Sequence, residues 1–347
     1  MPRMKRVQPR NALFHAVSRV AHKEFFFDEK ERDIIVDEMR RVAAFSGVDV
    51  VSYCIMSNHI HMLLWIDRPE NLERWLDCRD LALSDPSEFI PDGSMFKWRG
   101  VLVDANEAAE AQALRNMSVL ERYEMDGDEL LRRISILYER NPNKFSELKD
   151  IWSKMTPGER STEMERYLTR MYDVSLFMKT LKQNISQSYN SRHGHAGTMW
   201  EGRFRTTIIE RSIEAMSTLS TYIDLNPARA GIVGHPSQYR WCSFAAAISG
   251  VPVCRNGYSF IYRTSSWEEA RELHETCLSA RLAASGPGDD VKEDKFFMSG
   301  GVVGSRAFVS EFVKANPDCF PSGRKSSPAS LRIGGKTLNV LRRIQVF

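Results

Sequence analysis

The chain has no apolar run long enough to cross a bilayer. Its longest strongly apolar stretch, Ile60 to Ile66, falls far short of the roughly 20 residues that a transmembrane helix takes. It also lacks a leader-like opening. Met-Pro-Arg-Met-Lys-Arg is basic, but Asn11 to Val20 mixes polar and apolar residues where a secretory signal would be uniformly apolar. Cysteine is scarce and scattered. The six residues (Cys54, Cys78, Cys242, Cys254, Cys277, Cys319) include no Cys-x-x-Cys pair, which excludes a zinc ribbon of that spacing and argues against a disulfide framework. Reduced thiols and no membrane segment predict a cytoplasmic protein. Hydrophobic residues make 42% and charged residues 27% of 347, so the chain is neither disordered nor collagen-like and has the length for more than one domain. No internal repeat is present.

Charge is nearly balanced at +3, but it is unevenly spread. Residues 67–170 hold 16 Lys and Arg against 22 Asp and Glu, which leaves a net of +9 on the rest. Residues 321–347 carry Arg324, Lys325, Arg332, Lys336, Arg342 and Arg343 and no acid. Local positive charge of this kind suits a polyanion such as nucleic acid; a solvated basic tail explains it equally well.

Periodicity divides the chain further. Asn11 to Phe27 reads as a strand and its exit, and Asp28 to Phe45 as a helix with Ile35, Met39 and Val42 on one face, stopped by Gly47. Val48 to Met56 is a β-branched strand. Ser57-Asn58 is a turn, and His59 to Ile66 is a second, central strand. Residues 70–170 then turn acidic and helical (Glu107–Leu120, Asp128–Glu139 and a helix entered at Thr156-Pro157). From Val174 the chain is basic again. Phe177, Met178, Leu181 and Ile185 form the apolar face of a helix that ends near Arg192 to Gly197. Phe204 to Ile209 is a strand, and Ser212 caps a helix through Leu225, closed by Asn226-Pro227. Helices over Ser243–Gly250 and Trp267–Ala284 follow, then a Ser-Gly-Pro-Gly linker at 285–288 and the basic tail.

The sharpest chemical feature is Asn58-His59-Ile60-His61. Alternation along a strand puts His59 and His61 on one face, where two imidazoles can share a divalent ion that polarises a phosphoryl oxygen. Tyr222 and Asn226 stand four residues apart at the end of a helix, on one side of it. Tyr222 has the chemistry of a phosphodiester nucleophile, because a phenolate attacks and leaves reversibly; with a free pKa near 10 it needs a nearby cation or base. Packed on the stripe of Ala215 and Leu219, it is an ordinary core residue. Asn226 can offer an amide oxygen as a third ligand.

Four motifs in order carry a resemblance. Tyr53-Cys-Ile-Met-Ser-Asn-His-Ile-His-Met-Leu-Leu64 resembles the HUH motif (His, hydrophobic, His) of single-tyrosine transposases. Met199-Trp-Glu-Gly-Arg-Phe204 resembles their Trp-x-x-Arg-Phe segment, and Tyr222-Ile-Asp-Leu-Asn-Pro-Ala-Arg-Ala-Gly-Ile-Val233 their tyrosine helix. Tyr239-Arg-Trp-Cys-Ser243 is similar to the Tyr-x-Trp-x-Ser stretch that follows. The match covers roughly residues 8–69 and 174–245, and the most similar group is the REP-associated tyrosine transposases.

That resemblance implies an α/β (α+β) fold, an HUH-type antiparallel sheet flanked by helices. The catalytic domain would be split over residues 1–69 and 171–250. An acidic helical insertion would occupy 70–170, a helical extension 251–285, and a linker with a basic C-terminal tail 286–347. It implies that His59, His61 and Asn226 bind Mg²⁺ or Mn²⁺, although paired imidazoles also suit Zn²⁺ or Ni²⁺. Tyr222 would then attack single-stranded or hairpin DNA, leaving a 5′-phosphotyrosine and a free 3′-OH. Such a protein acts as a monomer or a homodimer, in the cytoplasm and associated with the nucleoid. Lys179, Lys182, Arg192, Arg203 and Arg205 cluster around the motif halves as candidate DNA contacts. Trp200 and Phe204 are candidate base-stacking residues or core residues, and Glu201 and Asp224 candidate helpers of the metal or exposed carboxylates. Tyr189 is a rival nucleophile on a packed stripe, His193-Gly-His195 a second His-x-His in a glycine-bearing loop, and His15 a buried strand residue. The competing readings are a domesticated, non-cleaving DNA- or RNA-binding regulator and a metal phosphodiesterase that uses water.

Overall fold

A computed structural model describes residues 9, 11–21, 27–84, 90–92, 95–98, 101–284, 296–297, 301–316, 329–333 and 336–342. Backbone contacts divide the chain into two compact units. One is residues 1–66 with 173–347; the other is residues 67–172.

The first unit opens with β1 (Ala12–Arg19), α1 (Glu29–Ser46), β2 (Asp49–Ile55) and β3 (His59–Ile66). Asp28 caps α1 by accepting from the Glu31 amide at 2.8 Å, and Gly47 ends the helix in the left-handed region at φ 63°. β3 pairs antiparallel with both β2 and β1, and the cores of β1 and β3 are buried on both faces.

The second unit holds α2 (Glu70–Ala82) and a small antiparallel sheet of β4 (Ile90–Asp92), β5 (Met95–Trp98) and β6 (Val101–Asp104). Helices α3 (Ala105–Asn116), α4 (Val119–Arg122), α5 (Gly127–Leu137), α6 (Pro142–Lys154) and α7 (Pro157–Leu168) complete it. Capping boxes at Asp104/Glu107, Ser118/Glu121 and Thr156/Glu159 encode three of these helices locally. The Ser118 box divides the single helix expected over Glu107–Leu120 into two. Arg68 ties the ends of the unit together, donating from Nε to the Tyr172 carbonyl at 3.1 Å and from Nη1 to Glu73 at 2.9 Å.

The first unit resumes with α8 (Val174–His193), β7 (Arg205–Ile209), α9 (Ile213–Asp224) and the one-turn α10 (Asn226–Arg229). Then come α11 (Ser243–Ile248), α12 (Pro252–Tyr262), α13 (Trp267–Ala284), β8 (Gly301–Gly304), α14 (Arg306–Ala315), β9 (Ala329–Ile333) and β10 (Lys336–Arg342). Seven strands form one sheet in the order β2-β3-β1-β7-β8-β10-β9.

Two expectations need correction. The sheet is mixed rather than antiparallel, because β7 and β8 run parallel. The helices between these two strands provide the long crossover that a parallel pair requires. Nor is the region after 286 simply a linker and tail. Val302, Val303, Val309, Phe312, Leu338, Val340 and Leu341 are buried, and their burial draws β8, α14 and β10 into the first unit. Arg332, Lys336 and Arg342 stand within strands; Arg324, Lys325, Arg343 and the Ser-Gly-Pro-Gly segment lie outside the described residues.

Helix α12 was not anticipated, and it lies against β2. A Cβ on Gly257 would stand 2.1 Å from the Val51 carbonyl oxygen, so only glycine permits this approach. α9 is anchored by a buried polar network. Asp224 accepts from the Tyr258 hydroxyl at 2.6 Å and bonds His274 Nε2 at 3.0 Å, and His274 Nδ1 reaches the Tyr262 hydroxyl at 2.9 Å. Four helices thus meet at one carboxylate, since Ser243 of α11 also donates to it at 3.4 Å. Among the described residues no helix is long and apolar enough to cross a membrane. The five described cysteines are free thiols.

Candidate active site

The pairing register builds one face of the sheet. On β1, His15, Val17 and Arg19 alternate with buried residues of the other face. Arg19 stands opposite His59, and Val17 stands opposite both His61 on β3 and Arg205 on β7. His15, Val17, Arg19, His59, His61 and Arg205 therefore project from the same side.

On that side the rings converge. The imidazoles of His59 and His61 have centroids 5.0 Å apart, and the Tyr222 ring lies 5.7 Å from His61, edge to face. His15 stacks on His61 at 5.3 Å, with its Nε2 3.0 Å from His61 Nδ1. Arg229 places its guanidinium 4.3 Å from the centre of the Tyr222 ring and donates to the Tyr222 carbonyl at 3.0 Å. His61 and Tyr222 are 1% exposed, whereas His59 is half-buried, so the cluster opens at the His59 end. Phe297 closes the other side of Tyr222 at 4.7 Å.

Burial keeps His15 and His61 neutral. Burial pushes the pKa of His61 well down, and the neighbouring His59, His15, Arg229 and Arg19 push the same way. Burial likewise lowers His15 to about 4, against a hydrogen bond with the Phe297 backbone. A neutral imidazole keeps one nitrogen lone pair to offer a cation. In His59, Nδ1 donates to Asn58 Oδ1 at 2.7 Å. In His61, Nδ1 is occupied by His15 Nε2 at 3.0 Å, so a cation would be met by the other ring nitrogen, Nε2. Outer-shell partners of this kind are usual behind metal-bound imidazoles. The pair therefore fits a divalent cation. Asn226 spends its amide nitrogen on the end of α9, donating to the carbonyls of Tyr222 at 3.1 Å and Ile223 at 3.0 Å. Among the described residues no three His, Cys, Asp or Glu side chains are grouped to hold an ion, so any complete shell draws on Asn226, solvent or substrate.

No family model, curated protein or solved structure matches the chain.

The cationic residues divide in two. Lys179, Arg203 and Arg205 are exposed. Arg192 instead forks onto the buried carboxylate of Glu31, which His193 also reaches at 2.7 Å. Its charge is consumed in joining α8 to α1. Lys182 donates to the Gly202 carbonyl at 2.6 Å and holds the loop before β7.

Several expectations change. Trp200 and Phe204 are core residues, 7% and 9% exposed, and the Trp200 indole donates to Ser186 Oγ at 2.8 Å. Asp224 is not an exposed carboxylate: it is fully buried in the network that anchors α9. Tyr189 stacks on His193 at 4.3 Å at the end of α8. His193 and His195 turn to different partners, Glu31 and Asn190. The sequence reading missed Arg19, Asn58, Arg229 and Phe297 as parts of the site. Alternation from His15 to Arg19 was a usable signal, but only pairing with β3 shows which side it faces.

Proposed function

We propose that the protein is a metal-dependent single-stranded DNA endonuclease and strand transferase of the single-tyrosine type, acting on hairpin or repeat DNA. The observation that carries this reading is the convergence of His59, His61 and Tyr222 from a strand and a helix far apart in sequence. The four motifs that resemble REP-associated tyrosine transposases, and the antiparallel order β2-β3-β1-β7 around the histidines, support it.

His59 and His61, with the Asn226 amide oxygen, would hold Mg²⁺ or Mn²⁺. When bound, the ion supplies Lewis-acid stabilisation of the negative charge that builds on phosphoryl oxygens during displacement. The chain does the rest. The Tyr222 phenolate oxygen forms a bond to phosphorus while the bond from phosphorus to the 3′ oxygen breaks. The phenol proton goes to solvent and the departing 3′ oxygen takes one up, so a 5′-phosphotyrosine and a 3′-OH result. The 3′-OH of another strand reverses the step. Arg229 provides a fixed positive charge at the phenol, and its bond to the Tyr222 carbonyl holds it there. Lys179, Arg203 and Arg205 contribute salt-sensitive attraction for the backbone. A DNA substrate fits cytoplasmic, nucleoid-associated action.

One observation favours the non-cleaving regulator as a second reading. Tyr222 is buried beneath Phe297, so attack requires that Phe297 withdraw. Incubation with a hairpin-bearing single-stranded oligonucleotide and Mn²⁺ separates the two, read as covalent adduct on a denaturing gel. Wild-type adduct, lost in Tyr222→Phe with binding retained, and lost in the His59→Ala/His61→Ala pair, is the expected result. Binding without any adduct supports the regulator, and adduct that persists in Tyr222→Phe moves the nucleophile to Tyr189. Cleavage without adduct indicates a water-using phosphodiesterase.

A further inference from the structure

Beside the imidazole pair, on the same face of the sheet, lies a cavity of about 220 Å³ lined by Val17, Arg19, Glu201, Gly202, Arg203 and Arg205. We propose that this pocket binds a backbone phosphate of the DNA strand next to the phosphate that Tyr222 attacks, with Arg19 as its principal ligand. The proposal rests on the strand-transferase reading and goes beyond it by assigning a second phosphate site and a residue outside the four motifs.

Position comes first. Arg19 is directly opposite His59 on the neighbouring strand. Directly opposed residues of an antiparallel pair have Cβ atoms about 5 Å apart. The ring order runs from Tyr222 to His61 to His59, so Arg19 lies at the far, open end of the line. A strand whose reacting phosphate sits between Tyr222 and the histidines continues past His59 into this pocket.

Chemistry comes second. Three arginines and one carboxylate, Glu201, line it, a balance that favours an anion over a cation or a neutral ligand. Arg19 Nε is buried and has no hydrogen-bond partner among the described residues. A buried donor without a partner costs free energy, and charged donors cost most, so a ligand oxygen reaching it would recover that cost. Guanidinium forks match phosphate oxygens in pairs.

Third, the rim is built. The Glu201 amide donates to the Arg19 carbonyl at 2.9 Å, the Ala21 amide to Met199 at 2.8 Å, and Lys182 to Gly202 at 2.6 Å. The first two bonds hold the 199–202 loop against the end of β1, and the third ties it to α8. Gly202 adds no side chain to the mouth, where a Cβ would meet nothing within 4 Å.

The test is fluorescence anisotropy of the full chain with a labelled hairpin-bearing single strand between 50 and 200 mM salt, using wild type, Arg19→Gln and Arg203→Gln. Each lost phosphate contact is expected to reduce the slope of log K against log salt by about 0.7. A scan of oligonucleotides with one neutral methylphosphonate each identifies the phosphate. One linkage should weaken wild type several-fold and leave Arg19→Gln unaffected, the signature of a shared contact. Inorganic phosphate should compete with wild type better than with Arg19→Gln.

An Arg19→Gln slope and affinity equal to wild type overturns the proposal, as does additive weakening at every linkage. Should Arg19→Gln fail to fold, the exposed Arg203→Gln carries the same comparison. If wild type forms no adduct but the Arg19-dependent linkage persists, the transferase reading falls and the pocket stands. If adduct forms with no Arg19-dependent linkage, the pocket falls alone.

Discussion

His15 touches His61, Tyr222 and Phe297 at once. As a ligand, His61 must carry its proton on Nδ1 and donate it to His15 Nε2, so His15 selects the tautomer that exposes Nε2 to the ion. Replacing His15 by Phe should weaken Mn²⁺ binding about 10-fold by calorimetry, with partial recovery in His15→Gln, which keeps a polar partner. Unchanged affinity in His15→Phe would reduce His15 to packing. The same residue sets a pH response in the metal-free chain. Its folded pKa, about 4, lies below the unfolded value of about 6.5. As pH falls below 6.5 the unfolded chain takes the proton first. Stability is therefore full above pH 6.5 and declines towards pH 4, by about 3 kcal/mol for this group. The facing groups, His61 on β3 and the uncharged phenol of Tyr222 on α9, offer no negative charge to oppose this, and buried His61 adds in the same sense. Urea unfolding at pH 7 and pH 4.5 should show a smaller loss in His15→Phe than in wild type.

At the scale of elements, α9 carries the candidate nucleophile and must be held firmly. Its anchor is Asp224, whose partners come from α11, α12 and α13. Tyr258→Phe removes a donor from a buried carboxylate and should destabilise the first unit by about 2 kcal/mol, with a lower melting temperature. An unchanged melting temperature would mean that the network is not what holds α9. Gly257→Ala should cost about 3 kcal/mol, because its Cβ meets the Val51 carbonyl and α12 has to shift. Much at this scale was legible in advance. Gly47 and Ser212 are chemical stop and start signals, and they close α1 and open α9 as read. The strand pair before and after Ser57-Asn58 was plain from β-branched residues and the turn. Helix α12 and the division at Ser118 were not, because short apolar runs and repeated caps allow more than one partition. The sheet's parallel pair was also hidden, since nothing local to β7 or β8 records its neighbour.

For the whole molecule, the second unit presents the clearest experiment. Its boundaries, 67 and 172, coincide with the acidic block, and Arg68 bonded to the Tyr172 carbonyl keeps its ends near each other. Replacing residues 68–172 with a short Gly/Ser linker should leave the first unit folded, with its melting temperature changed by only a few degrees. The shortened chain loses a net negative block and should bind DNA more tightly at low salt. An insoluble or molten product would mean that the first unit depends on the second for its core.

The sequence by itself determined the local elements and the chemical inventory: two histidines on one side of a strand, a tyrosine near a helix end, and a basic chain interrupted by an acidic block. Periodicity and capping act over a few residues, so they are readable without a fold. Only the tertiary structure decided which elements meet. Strand register put Arg19 across from His59, ring packing joined Tyr222 to His61 and His15, and apolar burial drew the C-terminal strands into the sheet. Each depends on contacts between residues far apart in the chain, and no local preference encodes them.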